Sequence, residues 1–267
     1  MQKRVPNLLQ QKRQKKVTML TAYDCLTARI ISQSNIDMIL VGDSLGQSFS
    51  GYDSTIPVTV DEMVYHTKAV MRGNNGPFVV ADMPFLSYTV SVEEAKRNAG
   101  RLIKEGGAHG VKLEIIGPDC VDTVKAIVGM GIPVVGHLGF TPQAIHQLGG
   151  YKIQGRDSKQ SDYLIDMAKK LEAAGCFAIV LELVPSELAK AITDSVECLT
   201  IGIGAGVDCD GQVLVTLDLL GFNSDFNPKF LKKYESFGEK AVAAIGSYKK
   251  DVEAATFPGL ENGYSST

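Results

Sequence analysis

Four things are scarce or missing in this chain, and each removes a class of function. Net charge is only −3 over 267 residues, so there is no excess of basic side chains to neutralise a nucleic-acid backbone. The five cysteines, Cys25, Cys120, Cys176, Cys198 and Cys209, are odd in number and include no C-x-x-C pair. That argues against a disulfide or zinc framework and for reduced, mostly buried thiols in a cytoplasmic protein. No apolar run is long enough for a secretory h-region or a membrane span, so a secreted or membrane-embedded protein is not expected. No Pro-, Gly- or Ser-rich linker or low-complexity stretch divides the chain, so 1–267 reads as a single domain.

What is present is a rhythm. Hydrophobic residues make up 45% and charged residues 21%, enough for a sizeable core. Short β-branched runs recur eight times, at 17–21, 38–41, 78–81, 110–113, 132–135, 177–181, 199–203 and 213–217. Helical spacing lies between them. Residues 92–105 follow Ser91 as an N-cap with Glu93 and Glu94 in the first turn; 162–174 end at Gly175; 186–195 follow Pro185. Continuous apolar strands alternating with helices imply parallel strands covered by helices, and eight such units match a (β/α)₈ TIM barrel, with a doubly wound open sheet as the alternative. A helix near 237–255 forms a tail that packs on the barrel or on a neighbouring subunit. At the other end Lys3, Arg4, Lys12, Arg13, Lys15 and Lys16 read as a solvated helix ahead of the first strand; a membrane or nucleic-acid contact is the alternative.

Residues 110–116, GVKLEII, pose the functional question, because a covered strand should avoid Lys112 and Glu114. Period-two alternation points both to the same side. They have company: strand two runs into Asp43, strand three into Asp82, strand five to His137 and strand six to Glu182. Five consecutive strands thus deliver titratable groups to the C-terminal rim, where barrel enzymes carry their chemistry. Singly, each has a plain reading. An Asp after a strand is usually a cap, a Glu–Lys pair a structural ion pair, a His a satisfied core residue. Together they cost too much desolvation to lack a role.

Asp43, Asp82 and Glu114 are hard oxygen donors suited to Mg²⁺ or a similar divalent ion. A 2-oxo acid could chelate such an ion, and the ion would stabilise an enolate beside the carbonyl. Lys112 adds positive charge near the substrate oxygens, and Glu182 is the remaining base for a carbon-bound proton, with His137 the first alternative. A competing reading makes Lys112 a Schiff-base nucleophile, but neighbouring carboxylates would keep it protonated. The run IGIGAG at 201–206 fits either a phosphate site or tight turns, and GGYKIQGR at 149–156 either a lid or a plain surface excursion.

With these residues placed, the sequence resembles the ketopantoate hydroxymethyltransferase family. The likeness is carried by TAYD at 21–24, VGDSLG at 41–46, GYDSTIPVT at 51–59, YHTKAVMRG at 65–73, ADMPF at 81–85 and VKLE at 111–114. It continues through GHLGFTPQ at 136–143, GGYKIQGR, IGIGAG and CDGQVL at 209–214. The resemblance implies a barrel of the phosphoenolpyruvate/pyruvate superfamily type. It also implies one-carbon transfer from 5,10-methylenetetrahydrofolate to 3-methyl-2-oxobutanoate, giving 2-dehydropantoate in pantothenate biosynthesis. In that family's pattern Asp43, Asp82 and Glu114 match the Mg²⁺ site, Asp43, Ser44, Asp82 and Lys112 the keto-acid contacts, and Glu182 the proton acceptor. A homo-oligomer, often a decamer, is likewise implied. Gln47, Ile115, Ile116 and Leu217 depart from the pattern at pocket walls, without removing a ligand or base. The rivals are a metal-dependent C–C or P–C lyase of the same superfamily and a non-catalytic barrel that binds a keto acid or serves assembly.

Overall fold

The computed structural model describes residues 2–12 and 14–265. The chain falls into two compact units, Met1–Val215 and Thr216–Thr267.

The first unit carries a closed barrel of eight strands in chain order. They are β1 (Val17–Thr21), β2 (Met38–Val41), β3 (Phe78–Asp82), β4 (Gly110–Glu114), β5 (Val134–Gly139), β6 (Ala178–Glu182), β7 (Leu199–Ile203) and β8 (Gly211–Leu214). All pair in parallel, and β1 closes on β8 through Val17↔Gly211. An open sheet is therefore excluded. Outside lie α1 (Val5–Leu9), α2 (Cys25–Gln33), α3 (Leu45–Ser48), α4 (Val60–Gly73), α5 (Val92–Lys104), α6 (Cys120–Val128), α7 (Ile145–Leu148), α8 (Ser158–Ala173) and α9 (Ser186–Ser195). Local chemistry sets their ends. Thr59 and Glu62 form a reciprocal capping box at α4, and Ser91 accepts from Glu94 N at α5 as its sequence position predicts. Helix α8 starts before the expected 162, because Asp157 caps it by accepting from Gln160 N. Its polar first turn, SKQS, hides the helical period.

Two strands differ from expectation. Strand β5 is not 132–135 but Val134–Gly139. Pro133 has no N–H for the ladder, so the strand begins after it and runs on into the polar rim. Strand β8 is Gly211–Leu214 rather than 213–217, and Thr216–Leu219 turns into α10. Gly211 makes that docking possible: a Cβ there would lie 2.4 Å from Val17 O.

Inside the barrel the inward columns of β3, β5 and β6 are apolar below and polar above. Phe78 and Val80 precede Asp82; Val135 precedes His137; Ala178 and Val180 precede Glu182. The apolar part forms one core with Met19, Met38, Leu40, Leu199, Ile201 and Val213. Leu8 of α1 is fully buried in that core with Val5 packed beside it, so α1 closes the barrel's lower end. The basic N-terminus is thus not simply solvated. Lys3 and Lys15 pair with Asp37, and Lys12 reaches Asp210 Oδ2 at 2.7 Å and Cys198 O at 2.8 Å. Arg13 lies outside the described residues. All five cysteines are free thiols, and burial pushes Cys198 and Cys209 up to about 12 and about 11.

The second unit contains α10, α11 (Phe237–Glu253) and a 3₁₀ turn at Leu260–Asn262. Helix α11 buries none of its residues; Val242, Ile245, Tyr248 and Val252 are exposed. Among the described residues no helix is long and apolar enough to cross a membrane.

Candidate functional site

Register assembles the polar rim. Asp82 on β3 pairs directly with Lys112 on β4, and Glu114 pairs with His137 on β5. Gly139 pairs with Glu182 on β6. Asp43 enters from the turn after β2, where its backbone N donates to Asp82 Oδ2 at 3.0 Å. Gly42 makes this turn possible: a Cβ there would lie 2.7 Å from Ser44 Oγ and 3.5 Å from Asp82 Oδ2. Ser44 Oγ in turn meets Tyr23 Oη at 2.9 Å.

The side chains form a continuous polar chain. Lys112 Nζ is 3.1 Å from Asp82 Oδ1 and 3.4 Å from His137 Nδ1. His137 Nδ1 lies 3.6 Å from Glu114 Oε1, and its Nε2 lies 3.3 Å from Glu182 Oε2. The six residues anticipated as charged or titratable rim groups therefore come together. Neither Asp82 Oδ1 nor His137 Nε2, both buried, makes an aligned hydrogen bond among the described residues. These near contacts are electrostatic, and both atoms retain capacity for an incoming partner.

Burial sets the electrostatics. It pushes Asp43 well above the usual carboxylate range, helped by the negative neighbours Asp82 and Glu114. Burial raises Asp82 too, though Lys112 opposes it. Burial alone would lower Lys112, but Asp82, Glu114 and Asp43 outweigh it, so its ammonium is held firmly protonated. His137 is likewise lowered by burial and by Lys112, yet its contacts with Glu114 and Glu182 bring it to about 8.

Two residues of this rim were not anticipated as site residues. Gln143, in the Pro142–Ala144 turn after β5, donates its backbone N–H to Glu114 Oε2 at 2.9 Å. Its Nε2 donates to Asp43 Oδ2 at 2.8 Å and to Met83 O at 3.0 Å. Tyr88 directs its single hydroxyl hydrogen between two acceptors, Gln143 Oε1 at 2.8 Å and Glu114 O at 3.0 Å. The motif GHLGFTPQ contains Gln143, but an uncharged amide in a turn gives no signal of its own.

Each of the three inner carboxylates spends one oxygen on a protein N–H: Asp43 and Glu114 on Gln143, Asp82 on Asp43. Among the described residues no group of three His, Cys, Asp or Glu is already arranged as a cage for an ion. The donor chemistry nonetheless suits a hard divalent cation. Three buried carboxylates crowd one another, and Asp82 Oδ1 is buried without a hydrogen bond from the described residues.

The sequence departures fall in three places. Ile115 and Ile116 help line a cavity of about 250 Å³ with Leu138, Gln147, Gln154 and Tyr163, none of them a rim residue. Gln47 Nε2 donates to Asp53 O at 3.1 Å and Tyr151 Oη at 3.2 Å, which ties α3 to the 149–156 loop. Leu217 falls in α10. The IGIGAG run ends in turns, with Gly204 at φ 63° and Gly206 at φ 79°.

Comparison with known proteins gives consistent relationships. Residues 2–260 match the family model described as ketopantoate hydroxymethyltransferase. A 3-methyl-2-oxobutanoate hydroxymethyltransferase from Thermoanaerobacter sp. is 55% identical over 251 residues, spanning 94% of this chain and 91% of that protein. One from Geobacter metallireducens is 52% identical over 250 residues, spanning 94% and 93%. Among solved structures, 2,3-dimethylmalate lyase, a PEP mutase/isocitrate lyase superfamily member, superposes with TM-score 0.60 at 14% identity, covering 98% of this chain and 92% of its own. Phosphonopyruvate hydrolase superposes with TM-score 0.62 at 12% identity, covering 100% and 92%. These structural likenesses speak for the barrel alone.

Proposed function

The chain belongs to the ketopantoate hydroxymethyltransferase family, and from that premise we propose how its rim performs the reaction. The activity is that of a 3-methyl-2-oxobutanoate hydroxymethyltransferase. Its one-carbon donor in this reading is 5,10-methylenetetrahydrofolate and its product 2-dehydropantoate.

Asp43, Asp82 and Glu114 would hold Mg²⁺, which when bound supplies positive charge that lowers the cost of an enolate at the keto acid. Lys112 places a fixed ammonium beside the substrate oxygens, and Ser44 offers a hydroxyl at the same rim. With Asp43 and Asp82 these residues orient 3-methyl-2-oxobutanoate so that C3 faces Glu182. Glu182 takes the C3 proton. His137, 3.3 Å away, supports the carboxylate that receives it. Water releases the one-carbon unit from the folate at the aldehyde level as the C–N bonds break and tetrahydrofolate leaves; the carbanionic carbon adds to that carbon, and the new alkoxide takes a proton to become the product hydroxyl.

One observation carries this reading. Four carboxylates and one protonated lysine share a single buried rim, and one carboxylate, Glu182, stands apart from the three that crowd together. A Schiff-base role for Lys112 is disfavoured, since a lysine held protonated is a poor nucleophile. A cytoplasmic location fits the five free thiols, four of them buried. Assembly into a homo-oligomer, a decamer by family resemblance, is supported by the exposed apolar residues of α11.

The direct test is a product assay with 3-methyl-2-oxobutanoate and methylenetetrahydrofolate, with and without Mg²⁺. Dehydropantoate should form, turnover should stop with chelator, and Mg²⁺ should restore it. Turnover that survives thorough removal of metal would reject the Mg²⁺ role. Turnover of the keto acid without folate would favour the lyase alternative.

A further inference from the structure

Gln143 touches the ends of three neighbouring strands at once. It reaches Asp43 after β2, Met83 after β3 and Glu114 at the end of β4. It is itself buried, and it opens the long connection after β5 that runs through α7 and the 149–156 loop. We infer that Gln143 is a positioning residue: it engages one oxygen each of Asp43 and Glu114 so that their other oxygens are presented to a divalent cation, and Tyr88 locks its amide in the orientation this needs. The inference rests on the reading of Asp43, Asp82 and Glu114 as a cation site.

The orientation of the amide follows from its partners. Met83 O can only accept, so the amide nitrogen must face it and, with it, Asp43 Oδ2. Gln143 Oε1 is then turned to Tyr88, whose hydroxyl hydrogen is shared between Oε1 and Glu114 O. A flipped amide would set Oε1 against Met83 O and Asp43 Oδ2, two acceptors, and leave both without their donor. Only one arrangement satisfies all four groups.

That arrangement matters because a carboxylate with two free oxygens can rotate and can present either one. Fixing Oδ2 of Asp43 and Oε2 of Glu114 removes this freedom before a ligand arrives. Their other oxygens are then held beside Asp82 Oδ1, which is buried with no hydrogen bond among the described residues, while Glu114 Oε1 faces His137 Nδ1 at 3.6 Å. Polar groups that orient ligating side chains typically change ion affinity by about 10–100-fold when removed.

The test uses the full-length protein stripped of metal and titrated with Mn²⁺ alone, followed by electron paramagnetic resonance. Gln143→Met keeps length and volume, keeps the backbone N–H to Glu114 and removes only the amide. It should weaken Mn²⁺ binding by about 10–100-fold and alter the spectrum of the bound ion. Tyr88→Phe removes only the hydroxyl, one contact further from the cation, and should weaken binding in the same direction by up to about 10-fold, the low end of the usual range. Circular dichroism reports folding; if Gln143→Met does not fold, Tyr88→Phe decides. Parent-like affinity and spectrum in the folded variant overturn the inference while the cation reading stands. A parent protein that binds no Mn²⁺ overturns both.

Discussion

Lys112 Nζ stands 3.1 Å from Asp82 Oδ1 because the barrel register sets these two residues side by side on β3 and β4. The pair is buried, and three carboxylates hold the lysine in its charged form. Lys112→Met should therefore raise KM for the keto acid sharply, by at least about 10-fold, since a charge-assisted contact of roughly 1.5–3 kcal/mol is lost. Borohydride added with the keto acid should leave no covalent adduct on the parent protein. An adduct at Lys112 by mass spectrometry would bring back the Schiff-base reading.

Asp43→Asn and Asp82→Asn should each cut turnover by at least ~10²-fold, the usual scale for removing one preorganised electrostatic element. Both variants should need more Mg²⁺ for half-maximal rate. Rates that match the parent at every Mg²⁺ concentration would detach these residues from the cation.

At the opposite end of the barrel Asp37 anchors the N-terminal segment. Burial would raise its carboxyl, but Lys3 and Thr18 outweigh burial and hold it below the ordinary value. A depressed folded pKa contributes stability above the unfolded value of about 3.9 and loses it as pH falls through the folded value. Asp37→Asn should thus cost about 1–3 kcal/mol near pH 7 by denaturant unfolding. The difference from the parent should shrink as pH falls below about 4. A difference that is constant from pH 7 to pH 3 would assign the effect to packing instead.

How much of this was legible beforehand varied with the kind of interaction. Asp82, Lys112, Glu114 and Glu182 could be placed because a strand's period of two fixes which side a residue faces, and neighbouring strands repeat the pattern. Strand β5 was misplaced because Ile132 has the right composition, while the missing N–H of Pro133 decides where the ladder starts. Strand β8 was shifted because glycine at 211 looks like a turn residue, yet close approach to Val17 requires it there. The basic N-terminus looked solvated because Asp37 and Asp210, its partners, lie far along the chain. Gln143 and Tyr88 were invisible as site residues for a similar reason. Their importance comes from partners on three different strands, and no local pattern encodes it.

The central claim is that Glu182 takes the C3 proton of the keto acid. Its side chain is 17% exposed and faces His137 Nε2 at 3.3 Å, whereas Asp43, Asp82 and Glu114 are almost fully buried. Bond formation at C3 requires that proton to leave, and Glu182 is the carboxylate not engaged with the inner three. In heavy water with Mg²⁺, the parent protein should exchange the C3 hydrogen of 3-methyl-2-oxobutanoate for deuterium, followed by proton NMR. Glu182→Gln preserves shape and removes basicity, so it should slow exchange by roughly 10²–10⁴-fold while keto-acid binding changes little. Exchange by Glu182→Gln at the parent rate would contradict the claim and turn attention to His137. A parent that neither exchanges C3 nor forms product would contradict the catalytic account altogether.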